Sequence, residues 1–244
     1  MIRGEDMSRE AMTAEEVRRG IVKWIAQAAV GVVGYAAVIF ISAGTLHWVW
    51  GWALVIVLAV VLIAHPLILI PINPQLLAER QRGMRDEGVK MWDQRITMLS
   101  GGLMFLLWIV AGLDYRWGWS PPLPAAVHLA GLLFVVVGYG LFLWAMASNA
   151  FFSEGVRIQT ERGHTVASGG PYRYVRHPGY VGVIVVHTAT PFLLGSLWAL
   201  IPGLLLAGLF VLRTHLEDKT LTAELPGYEA YRQETPYRLL PGLW

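Results

Sequence analysis

Two polar clusters in the second half of the chain carry residue types suited to chemistry. The first runs from His164 to Tyr180 and sets histidines, arginines and tyrosines between apolar segments. The second runs from Arg213 to Asp218 and follows the last apolar segment. Polar and cationic side chains beside membrane helices are costly to desolvate, so they are more often kept for function than for stability. We therefore expect the two clusters to meet in space.

The spacing within these clusters leaves more than one interpretation open. Arg213 and Glu217 are four residues apart and so share one face of a helix. They could form an intrahelical ion pair. Alternatively, Glu217 holds the hydroxyls or positive charge of a ligand while Arg213 faces an anionic group. His177-Pro178 stands where the next helix should start, and the free N–H groups of a helix N-terminus suit a carboxylate.

The composition predicts an integral membrane protein. Of 244 residues 55% are hydrophobic and only 15% charged, with a mean hydropathy of +0.51, whereas soluble domains are about one quarter charged. The absence of cysteine excludes disulfides, thiol nucleophiles and cysteine-ligated metals. The seven histidines include no pair at helical spacing, so no metal site is expected. A net charge of +2, spread over loops, predicts no nucleic-acid partner.

The hydrophobic pattern predicts an all-α polytopic fold with about six transmembrane helices. Spans are predicted at about 21–42, 48–70, 96–113, 125–147, 179–194 and 197–214. The last two, separated only by Gly195-Ser196, would form a tight helical hairpin before a polar C-terminal tail. Thr13 with Glu16 makes a capping-box pattern for the first helix. Residues 71–95 are charged but carry apolar side chains, which predicts an amphipathic segment along the membrane surface.

The distribution of Lys and Arg predicts the orientation. With six crossings, 18 of the 19 basic residues fall on one side and only Arg116 on the other. By the positive-inside rule both termini are then cytosolic, and the membrane is the plasma membrane if the source is prokaryotic. Residues 1–147 would form an N-terminal membrane region with four spans and the amphipathic loop. Residues 148–244 would form the catalytic region.

One block of sequence resembles a known family. Residues 170–182, GPYRYVRHPGYVG, closely resemble the G-x-Y-x-x-x-R-H-P-x-Y-x-G block of the isoprenylcysteine carboxyl methyltransferase family, much of which related phospholipid methyltransferases share. Downstream, Glu217-Asp218-x-x-Leu221, Gly227-Tyr228-x-x-Tyr231 and Tyr237-Arg238-Leu239-Leu240-Pro241 resemble that family's closing pattern. The resemblance covers about residues 155–244. It implies a membrane methyltransferase without a Rossmann domain, whose S-adenosylmethionine pocket is closed by the C-terminal tail.

Position by position, the resemblance also implies functional residues. Arg213 matches the arginine placed toward the methyl acceptor, and Glu217 the last contact of the cofactor. The other implied cofactor contacts are Gln159, His164, Thr165, Val166, Ala167, Tyr172, His177, Pro178, Gly179 and Tyr180. Two departures matter: Asp218 replaces a second Glu, and residues 225–227 replace a Phe-Gly pair. They leave the role of the second acid and the fit of the tail open.

Three functions remain after this comparison. The leading hypothesis is methyl transfer from S-adenosylmethionine to a lipophilic acceptor, such as an isoprenylcysteine-type carboxylate. The alternative is an NADPH-dependent membrane reductase of the sterol Δ14-reductase or steroid 5α-reductase type, which shares a similar hairpin and closing motif. A non-enzymatic membrane protein is the third, and it gives the two polar clusters no purpose. A carboxylate acceptor needs no base, whereas an amine would need a group to take its proton.

Overall fold

The computed structural model describes residues 14–74, 76, 80 and 88–244. Thr13, and with it the predicted capping box, lies outside the described residues, as does much of the predicted amphipathic segment 71–95. Within the described residues the chain is helical and no strand is present. The α-helices are α1 (Ala14–Ala43), α2 (Val49–Ile72), α3 (Met91–Trp117), α4 (Ala125–Ala147), α5 (Pro178–Leu194), α6 (Leu200–Glu224) and α7 (Tyr228–Glu234).

Five of these helices are long and apolar enough to cross a bilayer, namely α1, α2, α3, α4 and α6. Helix α5 is apolar but has only 17 residues, or about 25 Å, which is shorter than the roughly 30 Å of a hydrocarbon core. Helix α6, with 25 residues, is longer than the core requires. The protein is thus an all-α, polytopic integral membrane protein, as the composition predicted.

Helices α4 and α5 make the most extensive contact in the bundle, and small residues allow it. A Cβ atom on Gly182 would lie 2.5 Å from the carbonyl oxygen of Gly138, and one on Gly131 would lie 2.4 Å from the backbone nitrogen of Leu193. The two backbones therefore touch. Small residues serve this purpose between membrane helices, because lipid offers no hydrophobic drive for association and close packing must supply it.

The helices alternate in direction, which defines two ends of the bundle. The start of α3 and the end of α6 meet at one end, where Lys90 pairs with Glu224 at 2.7 Å. We call this end the site face. At the other end, the opposite face, the end of α3 meets the α5–α6 turn, where Ser196 donates to Asp114 at 2.5 Å. The two polar clusters predicted to meet both lie at the site face.

Three predicted boundaries were wrong. Helix α3 begins at Met91, so residues 91–95 belong to a membrane helix and not to a surface segment. Helix α6 continues to Glu224, so the tail begins about ten residues later than the hydropathy predicted. The α5–α6 turn spans 195–199 and is longer than two residues. In the first two cases polar residues extend an apolar helix because they find buried partners, which hydropathy does not measure.

Candidate functional site

The C-terminal tail is fastened to the start of α5. The backbone N–H of Arg176 donates to the carbonyl of Tyr237 at 2.9 Å, and that of His177 to the carbonyl of Arg238 at 3.0 Å. Pro178 occupies the first helical position after His177, where its missing N–H costs no hydrogen bond. These contacts place the closing motif against the first polar cluster, 60 residues earlier in the sequence.

Asp218 is the centre of the contacts between the tail and the bundle. Its carboxylate accepts from Arg176 at 2.7 and 3.0 Å, from Arg238 at 2.8 Å and from the hydroxyl of Tyr228 at 2.9 Å. The His177 ring lies 3.3 Å away. The carboxylate is almost fully buried, and two guanidinium groups compensate its charge. Asp218 therefore holds α6, the α5 start and the tail together.

The neighbouring Glu217 has different surroundings. It is half-buried, and one of its carboxylate oxygens accepts a hydrogen bond from the hydroxyl of Tyr180 on α5. Its other oxygen makes no hydrogen bond to the described residues. A carboxylate with one free oxygen in a partly enclosed position can accept from the ammonium or hydroxyl groups of a ligand.

Arg213 does not pair with Glu217, although the spacing allows it. Its guanidinium binds Asp93 at the start of α3, with Nε to Oδ1 at 2.7 Å and Nη2 to Oδ2 at 3.0 Å. Nη2 also donates to the carbonyl of Glu154 at 2.7 Å. The guanidinium carbon lies 5.2 Å from the centre of the Tyr180 ring, in cation–π range. Arg213 and Glu217 thus both contact Tyr180 while having separate ionic and hydrogen-bonding partners.

The loop before α5 is built around two further predicted residues. Gln159 is fully buried; its side chain donates to the carbonyl of Phe151 at 2.8 Å and accepts from Arg162 at 2.5 Å. The His164 ring stacks on Phe151, with ring centres 4.5 Å apart. Burial, together with the positive charges of Arg162 and a second arginine, lowers the pKa of His164 to about 4. His164 is therefore neutral at pH 7.

An aromatic cluster joins this loop to the tail. Tyr172, Tyr228 and Tyr231 are buried together, with Val166 and Ala167 packed against them. The Tyr231 hydroxyl donates to the carbonyl of Tyr172 at 2.8 Å. Burial raises the pKa of each of the three tyrosines, so all are neutral at physiological pH. The cluster therefore packs the tail against the loop through aromatic and aliphatic side chains.

The structure brings most of the predicted site residues to one face of the molecule. His177, Pro178, Gly179, Tyr180, Arg213 and Glu217 lie where α5 and α6 meet, and Val166, Ala167 and Tyr172 lie under the tail. Thr165 is exposed, and Gln159 is enclosed with its amide already bonded on both sides. The binding roles of these residues remain predictions. Among the described residues there is no cluster of three His, Asp or Glu side chains fit to hold a metal ion.

Sequence reasoning missed Asp93 and the part that Arg176 plays. Asp93 lay within the segment assigned to the membrane surface, and a single acid among many charges gives no sign of burial. The role of Asp218 had been left open, and the structure places four donors around it. The sequence motif contains both arginines, Arg176 and Arg238, but it does not show that they bind Asp218.

Comparison with known proteins matches this part of the chain. Residues 130–223 match the model of the isoprenylcysteine carboxyl methyltransferase (ICMT) family. A protein of Schizosaccharomyces pombe named protein-S-isoprenylcysteine O-methyltransferase is 33% identical over 110 residues, which are 44% of this chain and 47% of that protein. The match spans about half the length of this relative. The matched family segment runs from α4 to the end of α6 and so contains the α4–α5 glycine contact, the loop, Arg213 and Glu217.

The family resemblance inferred from the motifs is therefore confirmed, and the match begins in α4, some 25 residues earlier than the motifs indicated. The tail motifs lie beyond the matched residues, yet they contact it through Asp218 and the aromatic cluster. Over residues 130–223, this multi-pass membrane protein is similar to the isoprenylcysteine carboxyl methyltransferase family.

Proposed function

We propose that the protein is an S-adenosylmethionine-dependent methyltransferase that esterifies the carboxylate of a lipophilic, isoprenylcysteine-type acceptor. The observation that carries the proposal is the arrangement on α6, within the segment that matches the family. A cationic Arg213 and an anionic Glu217 stand one helical turn apart, both against Tyr180, and do not neutralise each other. The charge of Arg213 suits the carboxylate of the acceptor, and the charge of Glu217 suits the cofactor.

The residues around Glu217 fit this cofactor. The free oxygen of Glu217 matches a cationic or hydroxyl-bearing ligand, and the tyrosine cluster places aromatic side chains beside Val166 and Ala167 of the proposed set. The proposed binding set is Gln159, His164, Thr165, Val166, Ala167, Tyr172, His177, Pro178, Gly179, Tyr180 and Glu217. When bound, the cofactor supplies an electrophilic methyl group, so the protein needs only to bind, orient and exclude water.

The protein's own groups would act by alignment. A carboxylate acceptor is already a nucleophile, so no side chain has to remove a proton. Arg213 would fix the carboxylate by charge-assisted hydrogen bonds, and correct alignment supplies several kcal/mol of such a barrier. The tail, held by Asp218, would close the cofactor side to water. Catalytic roles therefore fall to Arg213 and Glu217.

The position of the site in the membrane supports a lipid acceptor. Helix α5 is shorter than the other membrane helices, and the start of α5 lies beside the part of α6 that carries Arg213 and Glu217. A lipophilic acceptor would enter from the bilayer and present its polar end there. We propose that this face and both termini are cytosolic, because the sequence segments on one side of the predicted spans carry nearly all Lys and Arg residues, and that in a prokaryote the membrane is the plasma membrane. Residues 148–244 would be the catalytic region and 1–147 its membrane support.

Binding of S-adenosylhomocysteine to the detergent-purified protein, with NADPH as the control ligand, tests the cofactor. Saturable binding of S-adenosylhomocysteine alone is expected, whereas binding of NADPH alone would favour the reductase alternative. Methylation of N-acetyl-S-farnesylcysteine in reconstituted vesicles then tests the acceptor. The product expected is an ester that base hydrolyses to methanol. A base-stable product would contradict carboxyl methylation.

A further inference from the structure

Asp93 makes three hydrogen bonds that together fix one side of the site. Oδ1 accepts from Nε of Arg213 at 2.7 Å, and Oδ2 accepts both from Nη2 of Arg213 at 3.0 Å and from the backbone N–H of Val156 at 2.8 Å. The side chain is fully buried. The carbonyl of Val156 in turn accepts from the N–H of Lys90 at 3.1 Å, so the start of α3 and the loop are joined on both sides of the carboxylate.

The Asp93 carboxylate binds Nε and Nη2 of the Arg213 guanidinium and leaves Nη1 available. Nη1 of Arg213 makes no hydrogen bond to the described residues, whereas Nε and Nη2 are both used. A planar guanidinium held bidentately on one edge cannot rotate, so its remaining N–H groups point in a fixed direction. That is the state in which an arginine orients a second anion.

Without Asp93, Arg213 has another carboxylate within reach. Glu217 lies one turn further along α6, at the spacing at which helical ion pairs form, and one of its oxygens is free. A buried guanidinium that loses its partner is strongly driven to find another. If Arg213 paired with Glu217, the guanidinium could no longer bind the acceptor and the carboxylate could no longer bind the cofactor.

We propose that Asp93 is a positioning residue that keeps Arg213 directed to the acceptor and away from Glu217. It lies outside the matched segment 130–223, so the N-terminal membrane region supplies part of the site. The proposal rests on the methyltransferase function proposed above. It predicts that both acceptor turnover and cofactor affinity depend on Asp93, the second only while Arg213 is present.

The test compares Asp93→Asn, Arg213→Gln and the double variant in reconstituted full-length protein. Methylation of N-acetyl-S-farnesylcysteine and binding of S-adenosylhomocysteine are measured. Asp93→Asn is expected to lower kcat/KM by up to about 100-fold, the effect of misplacing a reacting group by about 1 Å, and to weaken S-adenosylhomocysteine binding. In the double variant kcat/KM stays low, but S-adenosylhomocysteine affinity returns to that of the wild type, because Glu217 is free again.

Affinity that stays low in the double variant, or that never falls in Asp93→Asn, overturns the proposal. Asp114→Asn is the matched control: it alters a buried aspartate at the other end of the same helix and should leave both readouts unchanged. If Asp93→Asn does not fold, Asp93→Glu keeps the charge while displacing Arg213. Asp93→Glu should lower kcat/KM and preserve S-adenosylhomocysteine affinity. A fall in both quantities would overturn the proposal. A wild type without methylation activity refutes the proposed function itself, a result distinct from all of these.

Discussion

The two faces of the bundle bury aspartates in different ways. On the opposite face, Asp114 accepts from the N–H of Ser120 at 2.7 Å, from its hydroxyl at 2.6 Å and from the hydroxyl of Ser196 at 2.5 Å. All three donors are neutral. On the site face, Asp93 and Asp218 accept chiefly from guanidinium groups of Arg213, Arg176 and Arg238.

The difference shows that the buried ion pairs of these aspartates lie on the site face. Neutral donors suffice to stabilise one carboxylate and join two helices. Charge pairs are costly to bury, and on the site face they join Asp93 to Arg213 on another helix and Asp218 to Arg176 and Arg238 outside its own helix. We interpret the first arrangement as structural and the second as the support of a site that handles charged ligands. Four predictions test this comparison.

The largest effect is expected for Asp218→Asn. Removing this charge leaves the buried Arg176 and the half-buried Arg238 uncompensated, which should lower the free energy of unfolding by about 3–5 kcal/mol. Since both arginines connect to the tail, S-adenosylhomocysteine binding should be lost as well. Denaturant titration in mixed micelles and limited proteolysis of residues 225–244 would measure the two effects. A loss of stability no greater than that of Asp114→Asn would remove the distinction between the faces.

Glu217→Gln should separate binding from stability. Glu217 makes one hydrogen bond and no ion pair with the described residues, so its amide should leave the free energy of unfolding within about 1 kcal/mol. The affinity for S-adenosylhomocysteine should fall by roughly 10- to 100-fold, the loss of one hydrogen bond to a charged group. Calorimetry would measure it, with the exposed Lys219→Gln on the same helix as the control. Unchanged affinity would mean that Glu217 does not contact the cofactor.

Asp114→Asn should lower stability and leave ligand binding unchanged. An amide in this position turns one acceptor into a donor that faces the Ser120 and Ser196 hydroxyls, which can rotate to accept. The expected cost is about 1–3 kcal/mol of unfolding free energy, with methylation kinetics unaffected. A specific rise in the KM for the acceptor would show that the opposite face takes part in binding.

The effect that is smallest near neutral pH is the titration of His164. Because the pKa of His164 falls from 6.5 in the unfolded chain to about 4 when folded, only the unfolded chain binds its proton between these values. Stability is therefore complete above pH 6.5 and decreases as the pH falls toward 4, by at most about 1.4 kcal/mol per pH unit, less with solvent screening. His164→Gln should flatten this part of the curve of unfolding midpoint against pH. His47→Gln, which alters an exposed histidine on the opposite face, is the control.

The sequence by itself determined the membrane character, the all-α fold, the approximate spans and the resemblance to a family. These follow from composition, from the length of apolar runs and from a motif whose residues are close in sequence. Helix α4 was predicted at its observed bounds, because a purely apolar run ends in turn residues on both sides. Arg213, Glu217 and the His177-Pro178 helix start were likewise recognised as a group.

Only the tertiary structure decided which partner each charge has. Spacing allowed Arg213 to pair with Glu217, and the fold instead brings Asp93 from another helix to bind it. The same holds for Asp218, whose partners come from the residues just before α5 and from the tail, and for Gly138 and Gly182, whose contact no local sequence pattern predicts. A helix fixes the face on which a side chain lies, but its partner depends on how helices distant in sequence pack together.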